Sequence, residues 1–345
     1  MRNASTHLAC LLWVSMTLTP ALAEHAEPEA RPGALLHPYP AGTLDLATIP
    51  FKIVYETLRE TEGKENWELY LINADGSDPV NLTNTPNVDE MYPHASPDGK
   101  KVCFVADEGS GRDKVRNVYW MNLDGTGRIK VADNARQPCW SPDSKTIAYL
   151  KAEFTRYTIR DFATRELIFY DVVTTEQTPH PNEDLHHLYN ICFSPDGHWF
   201  AATVHGGMGH DHAILAFQAH GTEVYDLTPF HVTGCRPDLN FDGTRVTWGM
   251  TDWDLCWAKI DLTAPEPKVT DVQPVVKCDK ECEVYHTDFS PDGKYIAFSY
   301  GPKAAEQVGG KAPGWNICVS DMEGHWVQVT TDGHHNKEPD WVPVP

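Results

Sequence analysis

SPDGKKVCFVA, residues 96–106, joins a turn signal to an alternating apolar run. Proline fixes one backbone angle of the turn, and Asp-Gly accepts the positive φ that a tight reversal needs. The stretch returns as SPDSKTIAYL from Ser141, SPDGHWFAATV from Ser194, NFDGTRVTWGM from Asn240 and SPDGKYIAFSY from Ser290. The spacings are 45, 53, 46 and 50 residues. A near-constant period of this size marks a repeat architecture.

Around each copy the chain reads as further short strands. Residues 100–106, 115–121, 129–132 and 137–141 alternate apolar and polar positions between turn signals, and Asn122-Leu-Asp-Gly125 is one of those signals. The third round shows three strands, at 146–150, 166–172 and 190–194. No stretch has the period of an amphipathic helix. Four-stranded units cannot bury both faces alone, so they must stack. Radial stacking predicts an all-β propeller of four-stranded antiparallel blades. The first repeat starts with the strand that should follow the turn, and the last ends with the strand that should precede it. Glu338-Pro-Asp-Trp341 and FKIVYET (51–57) are therefore expected in one blade. That closes the ring without a covalent link and gives six blades.

The 345 residues carry a formal charge of −21, which repels phosphate backbones and excludes nucleic acid as a partner class. Residues 1–23 have the form of a signal peptide. Arg2 is the positive start, 8–18 is a short apolar core, and Ala21-Leu22-Ala23 is the cleavage motif. Export to the periplasm with cleavage after Ala23 is expected, and no later segment is apolar enough for a membrane span. Residues 24–48, with Pro28, Pro32, Pro38 and Pro40, read as a linker ahead of a propeller at 49–345. Of the eight cysteines after Cys10, Cys103, Cys139, Cys192, Cys256 and Cys318 fall in predicted strands and read as small buried apolar residues. Cys278-Asp-Lys-Glu-Cys282 is the pair spaced for a local loop disulfide.

YPHASPDGKKVCFVA, QPCWSPDSKTIAYL and YHTDFSPDGKYIAFSY resemble the P-x-W-S-P-D-G-K-x-I-A-F repeat of the TolB-like six-bladed propellers, as do ELYLINADG and VYWMNLDG. The resemblance runs over about residues 50–341. It implies the fold of a stand-alone propeller, without the α/β domain that precedes the propeller of TolB itself. It implies little about activity, because propellers host many functions.

In such a fold the strand before the serine is innermost. Two residues ahead of the serine stand His94, Cys139, Cys192, Asp238, Asp288 and Asp340. Four ahead stand Tyr92, Gln137, Asn190, Arg236, His286 and Glu338. Side chains two apart share a strand face, so both sets are expected to look into the central channel, with the residues between them packed into the blades. These are the candidate ligand or channel-lining residues. Most of the 17 histidines, His180, His186 and His187 among them, are expected at the end opposite the Ser-Pro-Asp-Gly turns. His205, His210 and His212 lie close together on a glycine-rich loop, the spacing at which imidazoles can hold a divalent transition metal, with His286 or Asp238 completing the shell. Lys151–Arg165, with its basic and aromatic residues, and Gly301–Gly314 are candidate contact loops at that end.

No G-x-S-x-G elbow, C-x-x-C-H haem motif or nucleotide-binding glycine motif occurs in the sequence. Two readings result. One is an exported, non-catalytic binding or assembly module that holds a partner protein or small ligand with its histidine-rich loop end. The other is a metal-dependent enzyme, lyase- or hydrolase-like, with a His/Asp site at the channel mouth, by analogy with oligogalacturonate lyases, whose related propeller carries a histidine-bound metal.

Overall fold

The structure is a computed structural model and describes residues 44–250, 254–279, 281–303 and 310–344. The expected signal peptide, nearly all of the linker and the middle of the Gly301–Gly314 loop lie outside the described residues. Six four-stranded antiparallel sheets form the ring. Blade I takes its inner strand, His335–Val342, from the C-terminal end, followed outward by Lys52–Thr61, Lys64–Asn73 and Val80–Asn81. Blade II is Asp89–Ala95, Lys101–Glu108, Val115–Asn122 and Ile129–Ala132. Blade III is Ala135–Trp140, Thr146–Ala152, Thr164–Asp171 and Gln177–Pro179. Blade IV is Leu188–Phe193, Trp199–Gly207, His210–Gln218 and Val224–Asp226. Blade V is Gly234–Leu239, Arg245–Met250, Leu255–Asp261 and Lys268–Val276, and blade VI is Cys282–Phe289, Tyr295–Pro302, Asn316–Asp321 and Trp326–Gln328.

The ring closes as the sequence predicts, with Val342 opposite Lys52, Trp341 opposite Ile53 and Asp340 opposite Val54. The core lies between neighbouring blades. At the closure, Trp341, Ile53 and Tyr55 of blade I pack on Ala297, Ile317 and Val319 of blade VI, and Leu46 and Ile49 cover the seam. Among the described residues no helix is long and apolar enough to cross a membrane.

The repeated turn is structural. Ser96 Oγ donates to Asp98 (2.6 Å) and accepts the Lys101 N–H (2.9 Å). Ser141, Ser194 and Ser290 repeat both bonds. Asn240 reproduces them with an amide, Nδ2 donating to Asp242 and Oδ1 accepting the Arg245 N–H, both at 2.8 Å. The chemistry of the motif is thus spent on the turn itself.

Three expectations need correction. The blade III outer strand, Gln177–Pro179, was not predicted, because its three exposed residues carry no alternation. Cys278 and Cys282 are thiols, not a disulfide, and both are half-buried. His180 is not a loop-end residue. It is buried between blades III and IV, with Nε2 2.8 Å from the Gln218 carbonyl beside the blade IV turn.

Candidate functional site

Each inner strand carries a bulge at the residue four ahead of the serine position. Tyr92, Gln137, Asn190, Arg236, His286 and Glu338 all have φ between 47° and 60°, in the left-handed region. The register with the second strand slips at the same place in every blade. Four of the six precede a proline, which disfavours the right-handed helical region for the residue before it and has no N–H to give a ladder. A non-glycine residue in this region costs about 1–2 kcal/mol, so the bulges need anchors. Buried acceptors supply them: the Tyr92 N–H donates to Glu56 (2.9 Å), that of Asn190 to Gln137 (2.9 Å), that of Arg236 to Thr203 (2.7 Å) and that of Glu338 to Ser299 (3.1 Å).

The bulge changes which residues line the channel. All six bulged side chains reach it, together with His94, Cys192, Asp238, Asp288 and Asp340, around a cavity of about 70 Å³. Pro93, Pro138, Ile191, Pro237, Thr287 and Pro339 line it too, because the bulge breaks the strict alternation that would have turned them inward to the blade. Cys139 is not among the lining residues and packs with Leu150, Phe200 and Leu167.

Most residues two ahead of the serine are blade-to-blade links. Asp238 accepts the Phe289 N–H (2.9 Å), Asp288 that of Trp341 (2.6 Å) and Asp340 that of Ala95 (2.8 Å). His94 Nδ1 accepts the Trp140 N–H at 3.4 Å. One side chain after another thus ties blade V to VI, VI to I, I to II and II to III. Burial pushes Asp340 up to about 8 and Asp238 up to about 7, with further push from neighbouring carboxylates, and it raises Asp288 as well. His94 is pushed down to about 4 by burial and is neutral at pH 7.

At the mouth a second network is built on charge. Glu338 lies 2.9 Å from Arg236 Nη1 and 2.6 Å from His286 Nε2. Burial and then Arg236 push His286 below its ordinary range; its Nδ1 faces the Ser299 hydroxyl at 3.1 Å, while Nε2 lies against Glu338 outside hydrogen-bond geometry. The loop at 153–163, between the second and third strands of blade III, enters this network. Asp161 is buried and accepts the Tyr92 hydroxyl (2.6 Å) and Arg116 Nη1 (3.0 Å). Arg116 also grips Asp107 with two nitrogens, at 2.6 and 2.9 Å, and the Tyr157 hydroxyl donates to Asp107 at 2.6 Å. Arg136 donates to the carbonyls of Thr158 and Arg160, and Asn134 to that of Phe154. The inner face of the loop is pinned along its length, while Phe154, Arg156, Ile159 and Arg160 stand exposed.

The histidine hairpin is organised differently from a metal shell. His205 and His212 pair across the strands with ring centroids 5.4 Å apart, and the Tyr189 hydroxyl meets His212 Nε2 at 3.0 Å. His210 turns to Asp226, 3.8 Å away. His186 and His187 form a chain of their own. The Met208 N–H donates to His186 Nε2 (3.2 Å), the two Nδ1 atoms meet at 2.6 Å, and His187 Nε2 faces Glu153 at 3.3 Å. Each of the four ring nitrogens has one partner in this chain. Gly207 is what lets the hairpin pack on it, since a Cβ there would lie 2.5 Å from His187 Cβ. Among the described residues, three ligand-type atoms come within 4.8 Å of one another at Asp321, Glu323 and His325, on the outer turn of blade VI. Sequence reading passed over that turn because it has the form of the other hairpins.

The fold and channel define the class as a six-bladed all-β propeller. Its fold is that of TolB. The chain superposes on TolB from Acinetobacter baumannii with a TM-score of 0.61 at 17% identity, over 85% of this chain and 67% of that one. A TolB-type propeller from Agrobacterium tumefaciens gives 0.52 at 17% identity, over 85% of this chain and 99% of that one. Hydrazine synthase of Kuenenia stuttgartiensis gives 0.59 at 12% identity, over 85% of this chain and 46% of that one, less than half its length. No protein-family profile and no curated protein sequence matches the chain.

Proposed function

We propose that the protein is an exported binding module, cleaved after Ala23, that holds a partner protein on its loop end as part of a periplasmic complex. The observation that carries this reading is the loop at 153–163. Buried side chains fix its inner face, so little conformational entropy remains to be lost on binding. Its outer face presents Phe154 at 51% and Ile159 at 47% exposure, next to Arg156 and Arg160. Rigid aromatic and arginine side chains dominate binding energy at protein interfaces. The channel supports the same reading, since a cavity of about 70 Å³ has room for about two waters. Its wall carboxylates and histidines are engaged in holding the blades.

The test is affinity purification of the tagged protein from its native source, in parallel with the Phe154→Glu/Arg156→Glu variant. The reading expects a stoichiometric partner that the variant loses. A partner retained equally by both proteins, or none from either, would count against it.

A further inference from the structure

A groove of about 950 Å³, more than ten times the channel cavity, opens between blades III and IV at the Ser-Pro-Asp end. Its floor is aromatic. Phe169 and Phe193 are half-buried, with ring centroids 6.3 Å apart, and the His220 ring lies 5.6 Å from that of Phe169. Pro142 and Pro195, from two successive repeats of the turn, form walls. The rim is anionic: Asp143, Asp171, Glu176 and Asp196 line the groove, and no lysine or arginine does.

Hydrogen bonds hold three of these carboxylates in place. Asp171 accepts the N–H groups of Thr174 (2.7 Å) and Val173 (2.8 Å), which hold it below the usual carboxylate range. Partial burial acts upward on Asp196, but the Ser194 hydroxyl and the His198 N–H carry it below that range. Asp143 Oδ1 accepts the Ser141 hydroxyl, and its other oxygen makes a long, exposed ion pair with Lys145 at 4.0 Å, which leaves Asp171, Glu176 and Asp196 as the main anionic groups of the rim. Glu176 is exposed.

We propose that this groove is a binding site for small organic cations, a primary or quaternary ammonium group on an apolar body. Each part of the groove selects one part of that chemistry. Ring faces attract a cation and shed water from an apolar body. The carboxylates add attraction for positive charge and repel anions. A bare metal ion makes no use of the phenylalanine floor, and a neutral hydrocarbon makes no use of the rim. The volume lies within the range of small-molecule sites. The proposal does not depend on the partner at the loop end, which is on the opposite side of the ring.

The experiment is calorimetric titration of the full protein with benzyltrimethylammonium, and with benzoate as the anion of similar shape. Wild type should bind the cation and not benzoate. Glu176→Lys, at an exposed position, should keep its thermal midpoint and weaken cation binding by about fivefold or more. Phe169→Leu should weaken it further. Equal binding of the two probes, no cation binding at millimolar concentration, or unchanged affinity in Glu176→Lys would overturn the proposal. The last readout stands even where Phe169→Leu does not fold.

Discussion

Replacing Asp340 by asparagine should stabilise the protein at pH 8 and do so much less at pH 5. Asp340 joins blade I to blade II by accepting the Ala95 N–H at 2.8 Å, and an amide oxygen can accept the same bond. The carboxylate differs in that it must ionise in a buried site, where its pKa is pushed up to about 8. In the unfolded chain an aspartate titrates near ~3.9. The folded state thus binds the extra proton, and stability falls as pH rises between those two values. At about 1.4 kcal/mol per unit, four units set a ceiling of about 5 kcal/mol on the cost at pH 8. Asp238 and Asp288 share the site and take up part of the proton balance, so a gain of about 2 kcal/mol is the expected outcome. His94 runs the other way: with its pKa near 4, it adds stability as pH rises from 4 to its unfolded value. Urea unfolding of both proteins at pH 5 and pH 8, at one ionic strength, measures the difference. If Asp340→Asn were less stable than wild type at pH 8 by more than about 1 kcal/mol, the linkage argument would be refuted. The bond to Ala95 would then need the charge.

Three further outcomes follow from the geometry. Asp161→Ala removes a buried partner of Arg116 and should cost about 3–5 kcal/mol if the loop stays docked; faster tryptic cleavage at Arg156 and Arg160 would report that the loop has instead let go. Gly207→Ala drives a methyl group into the His186–His187 pair and should cost about 1–3 kcal/mol, read by thermal unfolding. Alkylation of the denatured protein without reductant should label both Cys278 and Cys282, whereas a peptide mass two hydrogens lighter and unlabelled at both would restore the loop disulfide.

The blades were legible because their signals are local. Ser, Pro, Asp and Gly sit within four residues, and the bonds of Ser96 to Asp98 and Lys101 are made inside the motif. The ring closure was legible by counting strands. Channel residues were located from the same alignment, but the reason they reach the channel was not visible, since the bulge at Arg236 or Glu338 depends on acceptors supplied by other strands, Thr203 and Ser299. Asp161 was missed altogether. It sits in a stretch singled out for its basic and aromatic residues, and its meaning comes from Tyr92, 69 residues away in the chain. The groove on Phe169 and Phe193 was missed for a similar reason, because neither phenylalanine departs from the strand pattern and only the meeting of two blades leaves their rings uncovered.

The binding role of the loop end is tested most directly by photocrosslinking in the native cell. A benzophenone side chain is placed at Phe154 in one protein and at Val173, 78% exposed on the opposite end, in another. The account predicts a discrete crosslinked species from position 154 and none from position 173. Crosslinking from 173 alone, or from neither position, would contradict it.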